Sequence, residues 1–274
     1  MQAKEKNCES VILTFFPHPR MVLQKNSDIK LLNTIDEKSD LLENFGLDSL
    51  IIHPFDKIFS DLSAEDFVVE VLVKQLNISK IIIGHDHRFG HKRSADIDDL
   101  IAFGKKYHFE VEQILAEQIE EVAISSTKIR TALTTGNIAL ANQYLGYDYM
   151  VSGQVVKGKQ LGRTIGYPTA NIDVDSDYKL IPQTGVYVVK SNIDDKDVFG
   201  MMNIGINPTV GGKLQKVEVH FFDLDQNLYG KVLKIDILQR LRNEQKFESI
   251  AQLTNQLHRD KTASRNFIDK LWKS

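Results

Sequence analysis

The chain has 274 residues, 42% hydrophobic and 26% charged, with a formal net charge of −3. That length fits one large domain or two ordinary ones, and the near-neutral balance excludes bulk attraction to nucleic acid or to an anionic membrane. The single cysteine, Cys8, excludes an intramolecular disulfide framework and fits a reducing cytoplasm, and no apolar run approaches the roughly 20 residues of a membrane span.

The opening MQAKEKNCESVILTFF has charges before a short apolar run and no small-residue cleavage pattern after it. It predicts the end of a helix and then a strand, not a signal peptide. VILTFF (11–16), SLIIHPF (49–55) and KIIIGHD (80–86) are short β-branched runs of the kind buried in a parallel sheet. Between the second and third, Ser63 and Asp66 form a capping signal, and Phe67, Val68, Val71, Leu72 and Leu76 recur at helical spacing. Strand, capped helix and strand predict a βαβ unit. A helix from about 98 to 109, a strand near 109–115 and a helical stretch from Ser126 follow.

After about residue 148 the texture changes. VSGQVV, GVYVVKSNI, VFGMMNIG, KVEVHFF and VLKIDIL are short strands separated by Gly, Asp, Asn and Pro clusters, which predict a small antiparallel barrel or sandwich. Phe247, Ile250, Leu253, Leu257, Phe267, Ile268 and Leu271 then space out a closing helix. The boundary falls near Tyr147–Tyr149, giving an α/β domain over 1–147 and a β-rich one over 148–274.

Three stretches of the second half carry candidate chemistry. Gly158, Gly162 and Gly166 are four apart, with Lys159 and Arg163 interleaved: glycines let backbone amides approach a phosphate, and the cations offset its charge. Directly after comes GYPTAN, either a plain turn or a source of oxygen ligands from Thr169 and Asn171 for a hard cation such as Mg²⁺. In QKVEVHFF, strand alternation puts Glu218, His220 and Phe222 on one face; Glu218 is either a general base or part of a solvated polar face. His220 alone reads as a surface or cross-strand residue. MMNIGINPTVGG, with Asn203 and Asn207, reads as a strand running into an irregular flap.

Together GKQLGRTIGYPTAN, MMNIGINPTVGG, VEVHFFDLDQNLYG and LRNEQKFESIAQLTNQLHRD resemble, in order, the riboflavin kinase module of the bacterial bifunctional riboflavin kinase/FMN adenylyltransferase (FAD synthetase) family. The resemblance implies a six-stranded β-barrel with a C-terminal helix, transferring the γ-phosphoryl of MgATP to the ribityl hydroxyl of riboflavin. It implies that Thr169 and Asn171 hold Mg²⁺ and the nucleotide phosphates, that Gly158, Lys159, Gly162 and Arg163 cradle the phosphates, and that Glu218 is the base. Asn203, Asn207 and Arg242 would lie on the flavin side.

FFPHPR (15–20), IIIGHDHRFGHKR (81–93) and ISSTKIRTALTTGN (124–137) are similar to the same family's FMN adenylyltransferase module, with a nucleotidyltransferase-like, Rossmann-like parallel sheet. That likeness implies site roles for His18, Asp86, Arg88, Ser126, Thr127 and Arg130, the last three at a helix N-terminus suited to a phosphate. His85, His87 and His91 raise a zinc reading that a three-histidine loop without cysteine supports poorly. The family opens with a G-x-F-D-G-x-H-x-G-H loop that has no counterpart here, so an N-terminally truncated member is expected, with an active kinase and FAD synthesis absent or much reduced. Partners implied are riboflavin, FMN and ATP, without nucleic acid or membrane. The alternatives are a non-catalytic flavin- or nucleotide-binding protein with a decayed first domain and, from the barrel alone, an oligonucleotide-binding module.

Overall fold

In a computed structural model of the chain, which describes every residue except 1, 25–27, 85–86, 115–117, 120–121, 159, 175, 210–211 and 272–274, the first β-branched run forms β1 (Val11–Phe16) behind a short helix α1 (Gln2–Glu5). Two helices, α2 (Pro19–Leu23) and α3 (Ile35–Asn44), precede β2 (Ser49–Pro54), which pairs parallel to β1 from Val11–Ser49 to Phe16–Pro54. After α4 (Lys57–Ser60), Ser63 caps α5 (Ala64–Asp66) by accepting the Asp66 amide at 3.0 Å. The helix continues through Phe67–Gln75 with π winding: the Leu76 amide reaches back to the Val71 carbonyl at 3.0 Å. Then come β3 (Lys80–Gly84), α6 (Ile97–Tyr107), started by an Asp96–Asp99 capping box, and β4 (Glu110–Ile114), parallel to β3. Val68, Leu72, Ile83, Leu100 and Phe109 bury one core, with Leu13 of β1 packed on its edge.

The α/β class is as expected, but the sheet is not continuous. Among the described residues β1–β2 and β3–β4 are two separate parallel pairs, and no ladder joins β1 to β3. A small antiparallel pair, β5 (Gln118–Ile119) and β6 (Val122–Ala123), follows.

The chain divides into two compact units: Met1–Ile29 with Lys38–Ile124, and Lys30–Glu37 with Ser125–Ser274. In the second, the stretch expected to be helical from Ser126 breaks into α7 (Ser126–Thr134) and α8 (Ile138–Leu145). Gly136 supplies the left-handed backbone of the break (φ 79°), and Asn137 caps α8. The strands are β7 (Tyr149–Val156), β8 (Ala170–Asp173), β9 (Gly185–Ile193), β10 (Lys196–Thr209), β11 (Gly212–Phe221) and β12 (Val232–Arg242). A short helix, α9 (Leu161–Thr164), lies between β7 and β8, and α10 (Ile250–Leu271) closes the chain. The six strands form a closed barrel in the order β10-β11-β8-β7-β12-β9, which leaves no open edge.

The strand that periodicity did not find, β8, lies inside the PTAN motif. The irregular flap expected after Gly205 is instead regular ladder, Ile206 opposite Gln215 through Thr209 opposite Gly212. Register gives the barrel two faces. Met202, Ile204, Val217, Val219, Ala170 and Ile172 share one and are all buried. On the other, Val188, Met201 and Phe222 pack with Ile268, Leu257 and Phe267 of α10.

Residues 30–37 are tied to the barrel unit by a buried ion pair. Lys179 and Glu37 side chains are 0% and 1% exposed. Lys179 also donates to the Leu32 carbonyl at 2.6 Å and lies 4.4 Å from the centre of the Tyr149 ring. Glu37 accepts the Thr34 and Ser152 amides, each at 2.9 Å. Burial pulls the Lys179 ammonium down to about 8, against the Glu37 carboxylate that holds it up. Because every polar group of the pair is used, removing one partner strands the other charge. Glu37→Gln or Lys179→Met should each cost about 3–5 kcal/mol in urea unfolding, and the double replacement Glu37→Leu/Lys179→Met should recover much of that loss.

Asp236 of β12 behaves differently: burial raises it to about 6, although Lys190 and Lys234 pull it down. A carboxyl raised in the folded state binds more protons there than in the unfolded chain, so it costs stability as pH climbs through about 6. The melting temperature of Asp236→Asn should therefore rise relative to the parent from about pH 4 to pH 6 and stay level above.

Candidate active site

The ladder alone brings three of the second-half candidates together. Asn171 on β8 stands directly opposite Glu218 on β11, and Glu218 opposite Asn203 on β10. Directly opposed residues of an antiparallel pair project to the same face, so the three polar side chains form a row. One strand further, Asn203 faces Val186 of β9, and Val186 faces Arg242 of β12.

Glycines bring the preceding loop onto that row. A methyl on Gly158 would fall 2.2 Å from Asn171 Nδ2 and 2.5 Å from its Oδ1, so only glycine lets the carboxamide lie against the backbone. Gly162, within α9, is equally constrained: a methyl would sit 2.1 Å from the Tyr167 carbonyl oxygen, while the Tyr167 amide donates to the Gly162 carbonyl at 2.8 Å. The loop is thus folded tightly on the motif, with Arg163 exposed beside it; Lys159 lies outside the described residues.

Asn171 is only 7% exposed, and among the described residues its Oδ1 is buried without a hydrogen-bond partner. A buried unsatisfied oxygen is costly unless something fills the role. With Thr169 two residues away and partly buried, the donor set is oxygen only, which fits a hard cation such as Mg²⁺. Glu218 is partly buried and paired with the Lys216 ammonium.

The flavin-side candidates are placed unequally. Asn203 is partly buried, its Nδ2 close to Gly205, where the Glu244 carboxylate also approaches. Asn207 lies in β10 opposite Leu214, and its side chain is outside the described residues. Arg242 spends its guanidinium on α10 and the chain leading to it: Nε and Nη2 donate to the Asp260 carboxylate at 2.9 and 2.7 Å, and Nη1 to the Asn243 carbonyl. Asp260 is 3% exposed and also accepts from Gln256, so the pair ties the end of β12 to the middle of α10.

Of the two sequence readings of His220, surface or cross-strand, the structure supports the second: it is buried and bonded through Nδ1 across to the Pro168 carbonyl. Tyr167 and His258, which the sequence reading passed over, join it. The Tyr167 hydroxyl meets His258 Nδ1 at 2.7 Å, and the Tyr167 ring is edge-on to His220 at 5.0 Å.

The first-half candidates fall in different units. His18 caps α2, its Nδ1 accepting the Arg20 amide at 3.1 Å, and Arg88 is exposed; both lie in the first unit, while Asp86 and His85 are outside the described residues. His87 stacks on Phe89, and His91 faces Asp61 at 3.3 Å. Ser126 and Thr127 are exposed in the first turn of α7, in the second unit, capped by the adjacent Ser125. Arg130 Nε donates to the Lys30 carbonyl at 2.8 Å. The sequence reading also missed a ring cluster at the carboxyl ends of β1 and β2. Phe59 lies 5.3 Å from Phe15, 4.3 Å from His53 and 5.7 Å from Phe55, all partly exposed, where open α/β sheets take ligands. The available signal was Phe55 just ahead of the Asp56 cap and Phe59 in the turn that follows it.

Two family profiles match the chain in order: FAD synthetase over residues 1–128 and riboflavin kinase over residues 145–268. The bifunctional riboflavin kinase/FMN adenylyltransferase of Buchnera aphidicola subsp. Acyrthosiphon pisum (strain APS) is 38% identical over 254 residues, 92% of this chain and 80% of that one. Its counterpart in Bacillus subtilis (strain 168) is 36% identical over 279 residues, 99% of this chain and 86% of that one. A crystal structure described as a macrolide-efflux protein from Streptococcus pneumoniae superposes with a TM-score of 0.87 at 32% identity, covering 97% of this chain and 86% of that one. Among the described residues of this chain no helix is long and apolar enough to cross a membrane.

Gly158→Ala should push the Asn171 carboxamide off its backbone seat. Forced overpacking costs about 1–3 kcal/mol, so MgATP affinity measured by titration calorimetry should fall about tenfold or more while the circular dichroism spectrum is unchanged.

Proposed function

The chain belongs to the bifunctional riboflavin kinase/FMN adenylyltransferase family, and we propose that its barrel phosphorylates riboflavin to FMN at the Asn171–Glu218–Asn203 row. The observation that carries this reading is the buried, unpartnered Asn171 Oδ1 lying in register with a partly buried carboxylate. Thr169 and Asn171 would hold Mg²⁺, which when bound neutralises phosphate charge. The tight turn from Gly158 to Arg163 would lay backbone amides and the Lys159 and Arg163 cations along the ATP phosphates. Glu218 would accept the proton of the ribityl hydroxyl as that oxygen bonds to the γ-phosphorus and ADP leaves. Lys216, drawn to the same carboxylate, brings positive charge to the place where the γ-phosphate oxygens approach. Asn203 and Asn207 would face the flavin. Arg242 would serve that end through its grip on Asp260 and α10.

For the family's second activity, adenylylation of FMN, the candidate groups are His18, Asp86, Arg88, Ser126, Thr127 and Arg130. The ring cluster around Phe59 offers a planar ligand a stacking surface. The sequence contains no H-x-G-H pair, whose imidazoles would stabilise charge on a transferring α-phosphate, so adenylyl transfer by these 274 residues is proposed to be weak. The lone Cys8 is the argument for a reducing, cytoplasmic compartment.

Incubation with riboflavin and MgATP, with chromatographic separation of the flavins, should yield FMN with little or no FAD. Failure to form FMN with riboflavin still bound would reverse the reading toward a non-catalytic flavin binder. Glu218→Gln should lower kcat about 10²- to 10⁴-fold while riboflavin binding persists. Asn171→Ala should also lose Mg²⁺-dependent ATP binding, and wild-type turnover in both variants would remove the site assignment.

A further inference from the structure

The ladder between β8 and β11 stops at Ala170 opposite Val219. Just ahead lies Pro168, which has no N–H to offer a neighbouring strand. Its carbonyl, which lies beyond the ladder, is held by His220 Nδ1 at 2.8 Å. A carbonyl only accepts, so Nδ1 carries the proton. Burial lowers the His220 pKa and keeps the ring neutral near pH 7. The ring is 7% exposed and held on two sides, by Tyr167 at 5.0 Å and Phe222 at 5.8 Å. Tyr167 is itself anchored through its hydroxyl to His258 of α10 at 2.7 Å. His220 therefore cannot turn away from Pro168 without disturbing α10.

We infer that His220 is a positioning residue of the nucleotide site: its Nδ1–H holds the Pro168 carbonyl where the β8–β11 ladder has ended, and so fixes where Thr169 and Asn171 present their oxygens. Pro168 is one residue before Thr169 and three before Asn171, so a loosened carbonyl shifts both donors at once. Glu218 lies two residues from His220 on the same face of β11, so one short strand segment places the base and the clamp of the opposing motif. The inference rests on the role proposed for Thr169 and Asn171.

The test compares His220→Leu, which fills the space without a donor, with His220→Asn, whose amide nitrogen occupies the place of Nδ1. MgATP binding is read by titration calorimetry, riboflavin binding by fluorescence quenching and FMN formation by steady-state kinetics. His220→Leu should lose about tenfold in MgATP affinity, equal to about 1.4 kcal/mol. KM for ATP should rise by a similar factor, while riboflavin binding stays unchanged. His220→Asn should stay within about threefold of the parent, about 0.7 kcal/mol on the same scale. Equal behaviour of the two variants, whether both intact or both impaired, overturns the inference while leaving the kinase reading in place. A parent chain that binds MgATP but forms no FMN, with the Leu–Asn difference retained, overturns the kinase reading and leaves His220 its role. A parent that binds no MgATP overturns both.

Discussion

One hydrogen-bonded register governs the second unit. Asn171 opposite Glu218 opposite Asn203 is a consequence of where β8, β10 and β11 pair, not of any loop conformation. A slip of one residue would turn Glu218 toward the face now filled by Met202, Ile204, Val217 and Val219, and would expose those apolar side chains instead. Burial of that apolar face therefore specifies the position of the proposed base. Closure of the barrel makes the specification stronger, because each strand is pinned on both sides.

The approach to this row is set by missing atoms. At Gly158 and Gly162 a single methyl would overlap the Asn171 carboxamide or the Tyr167 carbonyl. Their glycine content thus reflects close contact with a neighbouring segment more than backbone freedom. The same economy appears in His220, where an imidazole holds the Pro168 carbonyl just beyond the end of the β8–β11 ladder. The proposed phosphate loop, metal donors and base are held by neighbours that are themselves buried and bonded, which is what a preorganised site requires.

Much of this was legible in the sequence. The β-branched runs announced β1, β2 and β3, Ser63 and Asp66 announced the start of α5, and strand alternation put Glu218 and His220 on one face. What escaped were features that depend on partners distant in the chain. β8 is only four residues long and contains the polar Asn171, so no period-2 signal marks it; its strand character comes from β7 and β11 on either side. The expected flap after Gly205 became ladder for the same reason, since Asn, Pro and Thr can continue a strand when β11 supplies the pairing. The flavin-side role of Arg242 follows from the resemblance alone, whereas its bond to Asp260, eighteen residues on, has no signal in the sequence. The break in the parallel sheet could not be foreseen from strands that each satisfy the buried pattern.

The Glu37–Lys179 pair bears on how the molecule can be dissected. A polypeptide started at residue 148 would retain all six strands and α10, and would look complete as a barrel. It would lack Glu37, the Leu32 carbonyl and α8, and would leave the ammonium of Lys179, fully buried in the native chain, without its carboxylate. Asn142, which joins α8 to Asp148 and to the Ile237 carbonyl, would be missing as well. The compact unit that holds the barrel is thus discontinuous in sequence, residues 30–37 with 125–274. A linker that joins residues 30–37 to a chain started at residue 125 would preserve it where truncation at 148 would not.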